Sequence, residues 1–226
     1  ATTTTTQATT TTSEAPATTV APTGDLSVER VSFGFVSAYV LVRGTEVAIV
    51  DTGQGNAAGA IEPILAELGL GWDAVGSVVL THRHGDHVGG LSSVAEASGE
   101  AVISAGVADL GGINAPGRAI EPLEDGDTVF GSTIVATPGH TDGHICVFDP
   151  VASVLVAGDA LVGEGTPFPL VDGIGGSPPE FTSDADAANE SVRKLAALEP
   201  DTIWFGHGEP IVGGAAAKLT ALAASL

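Results

Sequence analysis

The segment Thr81-His82-Arg83-His84-Gly85-Asp86-His87-Val88-Gly89-Gly90 (residues 81–90) packs three histidines and an aspartate into six consecutive positions. It follows Val75-Gly76-Ser77-Val78-Val79-Leu80, whose apolar run beside glycine reads as a short buried strand. It leads through Val88-Gly89-Gly90 towards a predicted helix over 91–98. Neither a strand nor a helix turns side chains at this spacing to one point, whereas a strand-to-helix loop does. Neutral imidazole is the commonest protein metal ligand near neutral pH. Three imidazoles with a carboxylate suit zinc, with iron, manganese or cobalt open on ligand type alone. The alternative is a solvated histidine-rich loop with no metal. The other three of the six histidines argue against it, because none is scattered. Two fall in Thr137-Pro138-Gly139-His140-Thr141-Asp142-Gly143-His144, and the last in Gly206-His207-Gly208.

Together with Gly158-Asp159 and Val50-Asp51-Thr52-Gly53, these motifs resemble those of the metallo-β-lactamase superfamily, in family order. The resemblance covers residues 26–226 and implies an α/β fold, the four-layer αββα sandwich. It implies that His82, His84 and His140 hold a first metal, and that Asp86, His87 and His207 hold a second. Asp159 would bridge the two. Two zinc ions per chain are expected, with iron or manganese as alternatives. Such a pair lowers the pKa of bound water towards about 7 and polarises a substrate oxygen. Asp86 is expected to orient that water as well as ligate.

The same comparison narrows the chemistry. True zinc β-lactamases carry cysteine or serine where this chain has Asp159. Aspartate there resembles glyoxalase II-type thioesterases, lactonases, phosphodiesterases and several oxidoreductases. The segment Gly139-His140-Thr141-Asp142-Gly143-His144-Ile145-Cys146 is especially similar to glyoxalase II. Only residues 208–226 follow His207, too short a stretch for that enzyme's glutathione-binding helical domain, so its substrate is not expected to carry over. The expected function is a binuclear hydrolase acting on a small ester, thioester or lactone. One alternative is β-lactamase activity on the same site. Another is an iron-dependent oxidoreductase similar to persulfide dioxygenases. The flavodiiron pattern has glutamate in place of His84 and needs a flavin domain.

Other residues take supporting roles. Asp51 is expected to brace the site by hydrogen bonds, with direct ligation as the alternative, because ligand histidines need their second nitrogen satisfied. His144 lies outside the seven implied ligands and reads as a supporting residue. Cys146, in an apolar run, reads as a buried small hydrophobe, and Trp72 and Trp204 as packing residues. The glycine- and proline-rich stretch 163–179 reads as a long loop, either a passive connector or a substrate wall offering Phe168, Leu170 and Ile174.

Composition bounds the remainder. The chain has 226 residues, with 28 acidic against 7 basic, a formal charge of −21. That balance disfavours nucleic-acid binding, which needs lysine and arginine on phosphates; a small-molecule partner is expected. No apolar run is long enough to span a membrane, and a single cysteine precludes an internal disulfide. Residues 1–24 are rich in threonine, alanine and proline with almost no large apolar side chains, so disorder is expected there. The tail resembles the spacer behind an export or lipid-anchor signal, which points to a secreted or cell-surface protein. A merely flexible terminus on a cytoplasmic one is the alternative. Residues 25–226 form the expected domain. Strands are predicted over 28–35, 37–42, 46–51, 101–104, 128–130, 133–137, 144–148, 153–157 and 202–205. Helices are predicted over 57–68, 184–198 and 214–225.

Overall fold

Alternation of apolar side chains builds two sheets whose inner faces meet. In the computed structural model of the protein, which describes residues 24–226, β1 (Leu26–Ser32), β2 (Ser37–Arg43) and β3 (Glu46–Val50) form an antiparallel meander. The expected disorder of 1–24 falls, apart from Gly24, outside the described residues. Along β2, Ala38, Val40 and Val42 face one core while Tyr39 and Leu41 face another. This is the period-two pattern of a strand buried on both sides. Helix α1 (Ala57–Glu67) returns the chain so that β4 (Val75–Leu80) pairs in parallel with β3. Gly69, at φ 71°, supplies the left-handed residue that ends α1. After β4 come α2 (Gly85–Val88) and α3 (Leu91–Ala97), then β5 (Val102–Gly106) and β6 (Glu121–Leu123), completing a six-stranded sheet in sequence order.

The second sheet starts with β7 (Thr128–Val129), β8 (Ser132–Ala136), β9 (Ile145–Asp149) and β10 (Val154–Val156). A small hairpin of β11 (Leu161–Gly163) and β12 (Ile174–Gly176) follows, then α4 (Ala185–Ala196), β13 (Thr202–Trp204) and α5 (Ala215–Ser225). β13 lies parallel to β10, giving the order β13-β10-β9-β8-β7. Asp184 caps α4 by accepting from the Ala187 N–H, and Arg193 and Lys194 sit in its last turn, complementing the helix dipole at both ends.

Three cores follow. Ile61, Leu65, Leu91 and Val94 of α1 and α3 cover the outer face of the first sheet. Val192, Leu195, Leu219 and Leu222 of α4 and α5 cover that of the second. Between the sheets, Tyr39, Leu41, Val50 and Val79 meet Ile134, Ile145, Val147 and Val156. The layers are α/β/β/α, as predicted. Each buried leucine or isoleucine contributes roughly 1.5–3 kcal/mol over an exposed one.

The structure corrects the reading of 163–179. Strand β12 lies inside the expected loop, and Ile174 is fully buried among the residues packed by α4 and α5. Strands β6 and β11 are additions to the predicted set. Among the described residues no helix is long and apolar enough to cross a membrane.

Candidate metal centre

Four chain segments at one edge of the sandwich bring the singled-out residues together: those after β4, β8, β10 and β13. The edges of the two sheets are tied there by Ile145 N–H donating to Thr81 O at 2.9 Å and Ser37 N–H to Gly206 O at 2.9 Å. β4 delivers His82 into the interior, where it is fully buried. His84 has extended backbone at the start of α2, whose single turn sets Asp86 and His87 on the same side.

Three sets of side chains each bring their donor atoms within 4.8 Å of one another: His82 with His84 and His140; His82 with His87 and Asp159; Asp86 with His87 and His207. His84 Nδ1 and His140 Nε2 lie 2.9 Å apart, and His87 Nε2 and His207 Nε2 3.4 Å apart. Asp159 stands between these pairs. Its Oδ2 is 3.4 Å from His140 Nε2 and 3.2 Å from His207 Nε2, while its Oδ1 is 3.2 Å from His87 Nε2. Asp86 Oδ2 lies 3.3 Å from His207 Nε2. Buried His82 Nε2 and Asp159 Oδ1 have no hydrogen-bond partner. Leaving such atoms unsatisfied costs about 1–3 kcal/mol each. Imidazole nitrogens and carboxylates converging in this way fit divalent metal ions. Gly206 is required for the close approach: a Cβ there would collide with Asp159 Oδ1 and His87 Cε1.

Three further residues hold the donors in place. Asp51, at φ 61°, accepts from Thr81 N–H at 2.8 Å and Thr81 Oγ1 at 2.8 Å, and its Oδ2 takes His87 Nδ1–H at 2.8 Å. It braces Thr81 and His87 and belongs to none of the three donor sets. Fully buried His144 accepts Asp159 N–H on Nε2 at 3.1 Å, which places its proton on Nδ1, towards Thr137 Oγ1 at 2.7 Å. It supports Asp159 through its backbone and joins none of the donor sets.

Asp109, which the sequence reading passed over, locks the two histidine-bearing loops to each other. Its fully buried carboxylate accepts Arg83 N–H at 2.9 Å, Thr141 Oγ1–H at 2.6 Å and Gly143 N–H at 3.0 Å, and pairs with the Arg83 guanidinium. No motif surrounds it in Val107-Ala108-Asp109-Leu110, so only the folded structure reveals it.

The electrostatics divide the histidines. Burial holds His82 well below its ordinary pKa, lowers His84 and brings His140 to about 4. Burial also acts on His87, but the Asp159 and Asp51 carboxylates outweigh it and raise that histidine. His207 is carried to about 10, because hydrogen bonds to Asp159 and Asp86 overcome its burial. Conversely, the surrounding histidines depress Asp159 and Asp86 against the effect of burial, so both remain ionised.

A cavity of about 620 Å³ opens over this centre, reaching His84, Asp86, Asp159 and His207. Phe168 lines it, together with Phe35 and Phe181, which the sequence reading did not single out. Leu170 and Ile174 do not: Ile174 belongs to the core, and Leu170 packs beside Gly175. The supposed loop forms a wall at 164–168 and then turns inward as β12. Cys146 is fully buried, donates to Ala157 O, and its thiol is pushed up to about 12 by burial. Trp204 packs at a tilt against Tyr39.

Comparison with known proteins agrees with this geometry. The family model of the metallo-beta-lactamase superfamily matches residues 31–207. The probable metallo-hydrolase YflN of Bacillus subtilis (strain 168) is 32% identical over 202 residues, covering 73% of this chain and 76% of that protein. A hydroxyacylglutathione hydrolase of Cereibacter sphaeroides is 33% identical over 171 residues, covering 72% of this chain. The chain spans 57% of that relative's length. A metallo-beta-lactamase family protein from Thermus thermophilus superposes with a TM-score of 0.67 at 27% identity, covering 88% of this chain and 78% of that one. By its family match, its αββα layers and its converging histidines and aspartates, the chain belongs to the metallo-beta-lactamase superfamily and is a hydrolase of it.

Proposed function

We propose that the chain is a binuclear zinc hydrolase acting on a small thioester, ester or lactone. The observation that carries this reading is the Asp159 carboxylate, which meets His140 on one side and His87 and His207 on the other. His82, His84 and His140 would hold one ion, Asp86, His87 and His207 the other, with Asp159 common to both. When bound, the pair supplies Lewis-acid polarisation of the acyl oxygen and a water acidic enough to react at neutral pH. Asp86 is held ionised and lines the cavity, where its carboxylate would accept a hydrogen bond from the attacking water and orient it. Asp51 keeps the His87 imidazole in one orientation, and His144 holds the backbone N–H of Asp159.

The names of several relatives favour acyl chemistry, thioesters in particular. Besides the hydroxyacylglutathione hydrolases, an atrochrysone carboxyl ACP thioesterase of Cryptosporiopsis sp. is 32% identical over 136 residues, covering 58% of this chain. Two measurements test the proposal. Metal analysis of protein purified without chelators should find about two zinc ions per chain, falling in His82→Ala and His207→Ala. A parallel panel of thioesters, lactones, phosphodiesters and β-lactams should show turnover of thioester, ester or lactone, abolished by Asp86→Asn. Efficient β-lactam cleavage with none of the others would overturn the substrate class. Iron in place of zinc, with oxygen uptake on a persulfide, would overturn the reaction class.

A further inference from the structure

We infer that the acyl substrate is uncharged and apolar, and that thioesters of anionic carriers such as glutathione or coenzyme A are rejected. This deepens the proposed hydrolase reading and rests on it. Three of the chain's seven phenylalanines, Phe35, Phe168 and Phe181, line the cavity over the metal centre, with Pro167 and Pro178. Phe35 and Phe181 are 62% and 61% exposed, an unusual placement for large apolar rings unless something covers them. Phe35 is held flat against His207, ring planes 3° apart and centroids 5.6 Å apart, and its carbonyl accepts His207 Nδ1–H at 2.7 Å. That wall is therefore fixed beside the reacting centre.

The charges point the same way. An anionic carrier needs cations to receive its carboxylates or phosphates. All seven lysines and arginines lie within the described residues, and each is already engaged. Arg43 pairs with Asp149, Arg83 with Asp109, Arg193 with Glu190, Lys194 with Asp125 and Lys218 with Asp172. Arg118 donates to the Ala95 and Ala101 carbonyls. Only Arg30 reaches the cavity. Its guanidinium is held by Ser37 Oγ at 2.8 Å, Glu209 Oε2 at 2.8 Å and Gly208 O at 3.2 Å. Glu164 and Glu209 add two carboxylates to the same wall. Glu209 thus cancels the one cation an anion could use, and is the specificity-determining residue of this face.

The experiment compares two thioesters of one acid on the zinc-loaded protein: hexanoyl-N-acetylcysteamine, which is neutral, and hexanoyl-glutathione, which is anionic. The neutral ester should have a kcat/KM at least about tenfold higher, with the gap carried by KM and narrowing as salt screens the carboxylates. Glu209→Gln, which releases Arg30, should shrink the gap by improving the glutathione ester alone. Phe181→Ala should raise KM for hexanoyl more than for acetyl thioesters, since each methylene in an apolar site is worth about fourfold. Equal or better turnover of hexanoyl-glutathione would overturn the inference. If no acyl compound is turned over, the hydrolase reading fails while the preference stays measurable. Calorimetry with the inert thioethers S-hexyl-N-acetylcysteamine and S-hexylglutathione should then favour the neutral one, and tighter binding of S-hexylglutathione refutes the preference directly.

Discussion

Replacing Asp51 by asparagine tests whether a single hydrogen bond fixes which nitrogen of His87 faces the metal. Asp51 receives three donors, two from Thr81 and one from His87 Nδ1, and the last must be a donor if His87 is to offer its Nε2 lone pair. Asparagine keeps the shape and tolerates the left-handed backbone at φ 61°, so the main chain is not strained. It does exchange one acceptor for an NH2 group, and either placement sets donor against donor. With nitrogen at the Oδ2 position, His87 accepts at Nδ1 only by carrying its proton on Nε2, which blocks ligation. With nitrogen at the Oδ1 position, the buried Thr81 N–H loses its acceptor, at about 1–3 kcal/mol. Disorienting a ligand histidine in this way costs roughly 10- to 100-fold in metal affinity, or about 1.4–2.7 kcal/mol. Competition against a chromophoric zinc chelator measures the two affinities separately. The group of His82, His84 and His140 should keep its affinity, and that of Asp86, His87 and His207 should weaken by that factor. A folded Asp51→Asn protein that binds both ions as tightly as the parent would refute the tautomer argument.

The two histidine groups should also respond differently to pH. Burial keeps His82 and His140 neutral, the latter down to about 4, so the first group binds zinc without proton release between about pH 6 and 8. His87 and His207 are raised despite burial, His207 to about 10, so the second group must shed protons to bind. Its zinc affinity should rise about tenfold per pH unit for each proton released; equal pH slopes for the two ions would contradict this. Asp109→Asn disturbs the lock between the two histidine-bearing loops and should cost about 1–3 kcal/mol in a denaturant melt, with a matching loss of zinc affinity. Unchanged zinc binding in that variant would mean that the loops hold without it. Cys146, raised to about 12 by burial, should resist alkylation at about pH 8 in the folded protein and react on unfolding; rapid labelling of the native state would show that β9 opens.

Much of this was legible because short-range chemistry carried it. Two strands of the first meander announce themselves by nearly continuous apolar runs over 37–42 and 46–51, and their observed bounds differ by a residue at one end; the third, predicted over 28–35, is observed at Leu26–Ser32, displaced at both ends. The clustered histidines betray the centre because residues one to five positions apart can meet in a loop without help from tertiary structure. Asp109 was illegible for the opposite reason. Its partners Arg83, Thr141 and Gly143 are distant in sequence, and a lone aspartate in an apolar stretch carries no periodic signal. Ile174 was misread because glycine and proline mark turns as readily as they mark a three-residue strand; the packing of α4 and α5 decides between them. Phe35 and Phe181 were missed since a single exposed aromatic is ordinary until folding gathers several around one opening.

The distribution of donors between the sheets makes the metal centre a gauge of alignment. His82, His84, Asp86 and His87 ride on the first sheet, while His140, Asp159 and His207 ride on the second. Beyond a few hydrogen bonds at the edge, what fixes the distance between those two sets is the layer of side chains pressed between the sheets, from Tyr39 and Val79 to Ile145 and Val147. Close-packed interiors transmit displacement instead of absorbing it. A methyl group removed there, far from any substrate, slides one half of the donor set past the other. In this architecture the apolar interior is the calibration of the instrument, and drift in it is read as lost metal before it is read as lost fold.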